Sequence, residues 1–296
     1  ECVRTEGRFR VRREDICVAT FDCYGTLVDW EGGAASFLYA LALRLGDPSP
    51  DPGMALRERW EAIQFELLAG GYRPYKEILA ESLRVWAEER GYPWDPAYGE
   101  DLVRAMRSWQ PFPDTRPALL QAHAAGLRLV ILSNTDRDIM AHTLRQLDLP
   151  FERVIVAEDV GAYKPSERGF RFLLEQVAEP PEHILHVAFG FKYDIGPAQR
   201  LGFHTAWVNR HVEAPPGPEQ PDFIWRDLWG LAEFAGGPGP VARRGAPSGP
   251  TLEPQGGNPG IHRIFIAIDY SLALPRIDAC RTSASGAARG PHPLPW

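Results

Sequence analysis

The chain has 296 residues, 44% of them hydrophobic and 24% charged, with a formal net charge of −7. This composition fits a globular protein with one large core, or a core plus a smaller domain, and no apolar run is long enough to cross a bilayer. The acidic balance speaks against a nucleic-acid surface, and four cysteines without a CxxC pair or metal-ligand spacing speak against a disulfide framework or zinc site, so a cytoplasmic protein is expected.

Residues 1–14 are charged and read as a lead-in arm. The run Ile16-Cys17-Val18-Ala19-Thr20-Phe21 is apolar, partly β-branched, and ends at Asp22, with Gly25-Thr26 close behind. Such a run predicts a buried parallel strand that stops at a turn. Open α/β sheets bind ligands beyond the carboxyl ends of their strands, where loops and helix N-termini leave a crevice, so Asp22 is the first candidate functional residue. Cys23 beside it reads as a small buried apolar side chain.

After Asp29 the period becomes helical. Helices are predicted over 35–45, along the stripe Leu56, Trp60, Ile63 and Leu67, along Leu79, Leu83 and Trp86, and over 102–109. Gly46-Asp47-Pro48, Gly70-Gly71 and Gly91 separate them. Residues 31–112 thus read as a small helical cap domain inserted after the first core strand.

The core resumes at 113, where Asp114 or Thr115 is expected to N-cap a helix. Strands are predicted over 127–132, ending at Ser133-Asn134, over 154–157, over 183–189, leading to Asp194, and over 205–208, with a helix after Lys164-Pro165. Alternating strands and helices predict an α/β fold with a doubly wound parallel sheet, built from residues 13–30 and 113–235. From 236 to 296 Gly, Pro, Ser and Arg dominate, and this segment reads as a disordered tail.

Asp22-Cys23-Tyr24-Gly25-Thr26, Ser133-Asn134, Lys164-Pro165 and Asp194 come in the order, and at about the separations, of the four motifs of the haloacid dehalogenase (HAD) superfamily. Over roughly residues 13–235 the chain therefore resembles that superfamily, and Tyr24-Gly25-Thr26 makes it similar to the type II (S)-2-haloacid dehalogenase branch. The resemblance implies a Rossmann-like core under the cap and Asp22 as a nucleophile that forms a covalent ester. Lys164 would keep Asp22 ionised, Asp194 would orient Lys164 or the hydrolytic water, and Thr26 would position the Asp22 loop. Ser133 and Asn134 can hold a carboxylate or a phosphate equally well.

HAD phosphatases carry a second Asp two residues after the nucleophile to protonate a departing alkoxide; here that place holds Tyr24, a poor acid near neutrality. They also carry an acidic pair near the fourth motif that holds Mg²⁺, and the first of those places is Phe189. Both departures favour displacement of halide, a leaving group that needs no proton, without a cofactor. The expected reaction converts a small anionic substrate, a short 2-haloalkanoic acid, to a 2-hydroxy acid. Two rivals remain: a phosphatase using Mg²⁺ on a small phosphorylated metabolite, and a weakly catalytic HAD-fold binding protein.

Departures also run the other way. Dehalogenases of this branch place an Arg after the Trp of the first cap helix to receive halide, whereas Trp60 is followed here by Glu61, which repels an anion. Arg57, Arg59, Arg73 and Lys76 are the candidate replacements, with Arg73 taken as substrate-binding. Phe189-Gly190-Phe191 stands where small polar residues are expected, and Lys192 follows it. Trp30, Trp60, Tyr72, Trp109 and Phe112 are candidates for an apolar pocket. No nucleic acid or membrane partner is expected, and the resemblance leaves a homodimer through the cap open.

Overall fold

The computed structural model describes residues 11–236. The expected tail beyond residue 236, and the first ten residues of the lead-in arm, lie outside the described residues. Six strands make one sheet: β1 (Val18–Phe21), β2 (Arg128–Ser133), β3 (Phe151–Val156), β4 (Ile184–Ala188), β5 (His204–Val208) and β6 (Phe223–Trp225). Every pairing is parallel and the order is β3-β2-β1-β4-β5-β6. All four residues of β1 are buried because the strand is central and helices cover both faces, which is why its sequence is a continuous apolar run rather than an alternating one.

Phe21 is in register with Ile131 on one side and Val187 on the other. The chain leaves β1 toward β2 and β3 in one direction, and β4 to β6 extend in the other. The carboxyl end of β1 is therefore the point where the strand order reverses, the position at which open α/β sheets offer a crevice. Asp22 is the first residue beyond it. The short β6 escaped the sequence reading because three residues with Ile224 exposed carry no usable periodicity.

Ten α-helices are described. Four make up the insert between β1 and residue 113: α1 (Trp30–Arg44), α2 (Gly53–Leu68), α3 (Tyr75–Glu89) and α4 (Ala97–Met106). The others are α5 (Thr115–Ala124), α6 (Arg137–Leu147), α7 (Ala157–Val160), α8 (Arg168–Val177), α9 (Gly196–Arg200) and α10 (Trp229–Phe234). None is long and apolar enough to cross a membrane. α1 begins five residues earlier than its apolar pattern suggested, because the Asp29 carboxylate accepts the Gly32 N–H at 2.9 Å and so caps the first turn. Gly33 admits the Trp109 indole: a Cβ there would lie 2.5 Å from its ring.

Asp114 or Thr115 was expected to N-cap α5; Asp114 stands at that position, but its side chain makes no capping bond. Its carboxylate instead accepts the Leu228 N–H at 2.7 Å and pairs with Arg210 at 3.1 Å, while the Thr115 hydroxyl donates to the Leu27 carbonyl at 2.7 Å. Both residues serve tertiary contacts that a local pattern does not encode.

A capping carboxylate from elsewhere in the chain joins the helical insert to the sheet. Asp136, in the loop after β2, is 2% exposed and accepts the N–H groups of Tyr75 and Lys76 at 2.8 and 2.9 Å. These are unpaired donors at the positive end of α3, whose own N-cap, Pro74, supplies no side-chain acceptor. Asp136→Ala is expected to cost about 1–2 kcal/mol, in line with lost helix caps, read as a lower urea midpoint at unchanged slope. An unaltered midpoint would mean that this contact contributes nothing in solution.

Candidate active site

Asp22 is 8% exposed at the end of β1. Its Oδ1 accepts from Lys164 Nζ at 2.9 Å and its Oδ2 from the Thr26 hydroxyl at 2.8 Å. Thr26 Oγ1 in turn accepts the Phe189 N–H at 2.9 Å, which joins the loop after β1 to the loop after β4. Gly25 makes this approach feasible: its φ is +92°, a region that favours glycine, and a Cβ there would touch the Phe189 ring at 3.0 Å.

Lys164 is 4% exposed and bridges Asp22 to Asp194, whose Oδ1 it reaches at 2.6 Å. Its third proton goes to the Leu132 carbonyl at 3.0 Å. The backbone at Lys164 is fixed by Asn134, whose amide accepts the Lys164 N–H at 2.8 Å and donates to the Lys164 carbonyl at 3.0 Å. Asn134 thus positions the lysine with the groups expected to meet substrate. Asp194 lies in a single π-helical turn, Phe191–Ile195, of the kind often found at functional sites.

Behind Asp194 is a partner that the sequence reading missed. His186, fully buried in β4, places Nε2 3.0 Å from Asp194 Oδ1 and Nδ1 2.8 Å from the Thr20 hydroxyl. Its only signal was a polar residue in an otherwise apolar strand. Burial works against the charged forms throughout this cluster. It pushes the Asp22 carboxyl up, with Lys164 offsetting part of the effect. Asp194 is nevertheless held below the usual carboxylate range by Lys164 and His186, and the two carboxylates keep Lys164 above its ordinary value.

A cavity of about 110 Å³ opens over Asp22, and Tyr24, Ser133, Asn134, Lys164 and Asp194 line it with Asp22. Thr26 sits behind the carboxylate, fully buried. The Tyr24 hydroxyl is hydrogen-bonded to Thr143 Oγ1 at 2.8 Å, and burial raises its phenol well above the ordinary value. The opposite wall comes from the insert: Glu61, Gln64, Phe65 and Leu68 of α2, Trp30 of α1 and Tyr75 of α3.

Arg73 is not brought into this wall. Its guanidinium pairs with Glu81 of α3, and only its carbonyl approaches the core, accepting from the Tyr163 hydroxyl at 2.7 Å. Arg59 pairs with Glu89 and Lys76 with Asp138, both away from the cavity. Lys192 is exposed. Of the expected aromatic lining only Trp30 is present; Trp60 stacks on it from behind, with ring centroids 5.7 Å apart. Gln64, Phe65, Tyr75 and Tyr193 were not foreseen as lining residues.

A family model for haloacid dehalogenase-like hydrolases matches residues 17–202, which include every element that carries the cluster around Asp22. The chain belongs to that family. It is 28% identical over 197 residues to the (S)-2-haloacid dehalogenase H-109 of Pseudomonas putida, covering 64% of this chain and 84% of the relative. It is 30% identical over 180 residues to a phosphoserine phosphatase of Thermus thermophilus, covering 59% and 70%. The fold is shared with the L-2-haloacid dehalogenase of Xanthobacter autotrophicus at a TM-score of 0.64, with 24% identity over 75% of this chain and 99% of that one.

Within a HAD hydrolase the donors around Asp22 are poorly suited to Mg²⁺. The two carboxylates present, Asp22 and Asp194, are bridged by the Lys164 ammonium at 2.9 and 2.6 Å, which occupies one oxygen of each. The remaining acidic place of the phosphatase pattern is the apolar Phe189. Among the described residues, the one three-ligand His, Cys and acidic grouping is Cys17, Glu179 and His183, whose residues belong to the β1 entry, the loop after α8 and the turn before β4, not to the cavity.

Proposed function

We propose that this hydrolase cleaves a carbon–halogen bond. Asp22 displaces halide from C2 of a short 2-haloalkanoyl compound with inversion, and water then attacks the acyl carbon of the aspartyl ester. The products are the 2-hydroxy compound, halide and a proton, with Asp22 regenerated. The carrying observation is Tyr24. A phosphate ester releases a basic alkoxide, which needs a proton from a nearby acid, and the phenol that stands there is bonded to Thr143 and shifted away from neutrality. Halide, a very weak base, needs no such donor. The small cavity matches a short substrate.

In this reading Lys164 holds Asp22 as the anion and Thr26 aims its second oxygen. Asp194 Oδ1 is committed to Lys164 and His186, and its Oδ2 lies against Gly190, where a Cβ would come within 2.5 Å. Oδ2 is the oxygen that accepts a proton from the hydrolytic water.

Chloride release from each enantiomer of 2-chloropropionate and of its amide, measured in EDTA, tests the reading. Turnover of one enantiomer supports it. Mg²⁺-dependent hydrolysis of an aryl phosphate without any chloride release would replace it with a phosphatase, the activity named for the Thermus relative.

The displacement also has a pH signature. Burial raises the Asp22 carboxyl, so the nucleophilic anion is lost at a higher pH than for an exposed aspartate. The acid limb of kcat/KM is expected above the ordinary aspartate value of about 4. Thr26→Val removes a hydrogen bond that favours the anion and should move this limb further up. A limb at or below the ordinary value in both proteins would count against Asp22 as the titrating group.

A further inference from the structure

Three carboxylates line the cavity, Asp22, Asp194 and Glu61, against one basic side chain, Lys164. An ammonium has three protons to donate. Those of Lys164 go to Asp22, Asp194 and the Leu132 carbonyl, at 2.9, 2.6 and 3.0 Å, so none is left for a substrate anion.

On the facing wall Glu61 and Gln64 stand one turn apart on α2. Arg57, which is not part of the lining, pairs with Glu61 and also lies 3.4 Å from Glu31. Glu31 in turn meets His211 Nε2 at 2.6 Å. Arg57 is thus shared between carboxylates, and Glu61 keeps a negative face toward the cavity.

Gln64 is 2% exposed, its Oε1 accepts from the Tyr75 hydroxyl at 2.9 Å, and its buried Nε2 has no hydrogen-bond partner. Buried donors of this kind are rare because they are costly, and this one belongs to a residue of the cavity lining. The wall therefore offers one neutral donor beside one anionic acceptor.

We infer that the acyl end of the substrate is an uncharged carboxamide, whose carbonyl oxygen accepts from Gln64 Nε2 and whose NH₂ donates to Glu61. This rests on the reading of Asp22 as the nucleophile at C2. A carboxylate would satisfy Gln64 but offers Glu61 only repulsion. An ester or ketone offers Glu61 no donor beyond Arg57, and an ammonium offers Gln64 no acceptor. The overall reaction balances as 2-haloalkanamide plus water giving 2-hydroxyalkanamide, halide and a proton. Asp22 forms the C–O bond as the C–X bond breaks, and water opens the ester at its acyl carbon.

The test pairs binding with turnover in the full chain near neutral pH. Calorimetry compares 2-hydroxypropionamide with 2-hydroxypropionate, two products that cannot react further, and chloride release compares 2-chloropropionamide with 2-chloropropionate. The amide is expected to bind at least about tenfold tighter and to show the higher kcat/KM, as follows from a like charge within a partly buried wall. Glu61→Gln should raise carboxylate affinity about tenfold and narrow the preference, while Gln64→Leu weakens both ligands.

Equal or tighter carboxylate binding by the wild type, binding of neither compound, or an unchanged preference in Glu61→Gln overturns the inference. Preferential binding of the hydroxyamide without chloride release from either substrate would remove the halide chemistry and leave the charge assignment standing. Faster chloride release from the acid than from the amide would do the reverse.

Discussion

Asp22→Asn is expected to lower chloride release by at least about 10³-fold, because a carboxamide cannot form the ester and the other carboxylates of the cavity, Asp194 and Glu61, are held by Lys164, His186 and Arg57. The variant should still bind the hydroxy product, since Asn keeps the side-chain shape beside Thr26 and Lys164. A second signature distinguishes attack by Asp22 from direct attack by water. In a single turnover in heavy-oxygen water, the product hydroxyl should carry ordinary oxygen taken from Asp22, and the heavy label should appear in the aspartate. Heavy oxygen in the product during the first turnover would mean that water reaches C2 directly and that Asp22 is not the nucleophile.

Lys164→Met is the second large effect, and it reaches both stability and activity. The wild-type ammonium lies within 2.9 Å of Asp22 and 2.6 Å of Asp194 in a site only a few per cent exposed. Removing one member of a buried ionic cluster leaves uncompensated charge, at a cost of about 3–5 kcal/mol. Asp194 gives the pH dependence its sign. Its carboxyl is held below the usual range, so its contribution is complete above the unfolded value of about 4 and is lost as pH falls through the lower folded value. The variant lacks that contribution. The stability gap between the two proteins should therefore be widest near neutral pH and close below about pH 4. Chloride release should fall by about 10²–10³-fold, as Asp22 is no longer held as an anion. A gap that stayed constant down to strong acid would show that Lys164 acts only as packing.

The strand-then-polar recurrence made the sheet legible because each strand is buried on both faces and its last residue meets the same crevice. Asp22, Lys164 and Asp194 were recoverable for that reason, and the structure brings them within hydrogen-bonding distance. The facing wall was not recoverable in the same way. On α2 the apolar stripe Leu56, Trp60 and Ile63 is buried in the core, and the cavity is faced by the stripe one residue later, Glu61, Gln64, Phe65 and Leu68. Hydrophobic periodicity reports what a helix buries, not the mixed face it turns to a small cavity. Arg73 failed for a different reason: a cation in a turn is drawn to the nearest carboxylate, here Glu81, and its partner depends on where α3 runs. His186 acts on Asp194 from behind rather than at the cavity, and such a supporting bond leaves no spacing to read.

Asp136 holds the start of α3 against the loop that follows Ser133, whereas the polar residues that α2 turns to the cavity bond elsewhere, Glu61 to Arg57 of its own helix and Gln64 to Tyr75. The start of α3 is thus tied to the loop after β2, whereas the polar residues of the α2 face bond within the insert. A lineage carrying this scaffold can change what it recognises by substitution along a single helical face, without disturbing the nucleophile or the lysine that activates it. Divergence of diet within such a family would then be recorded in α2 first, and in the ends of the central strands last.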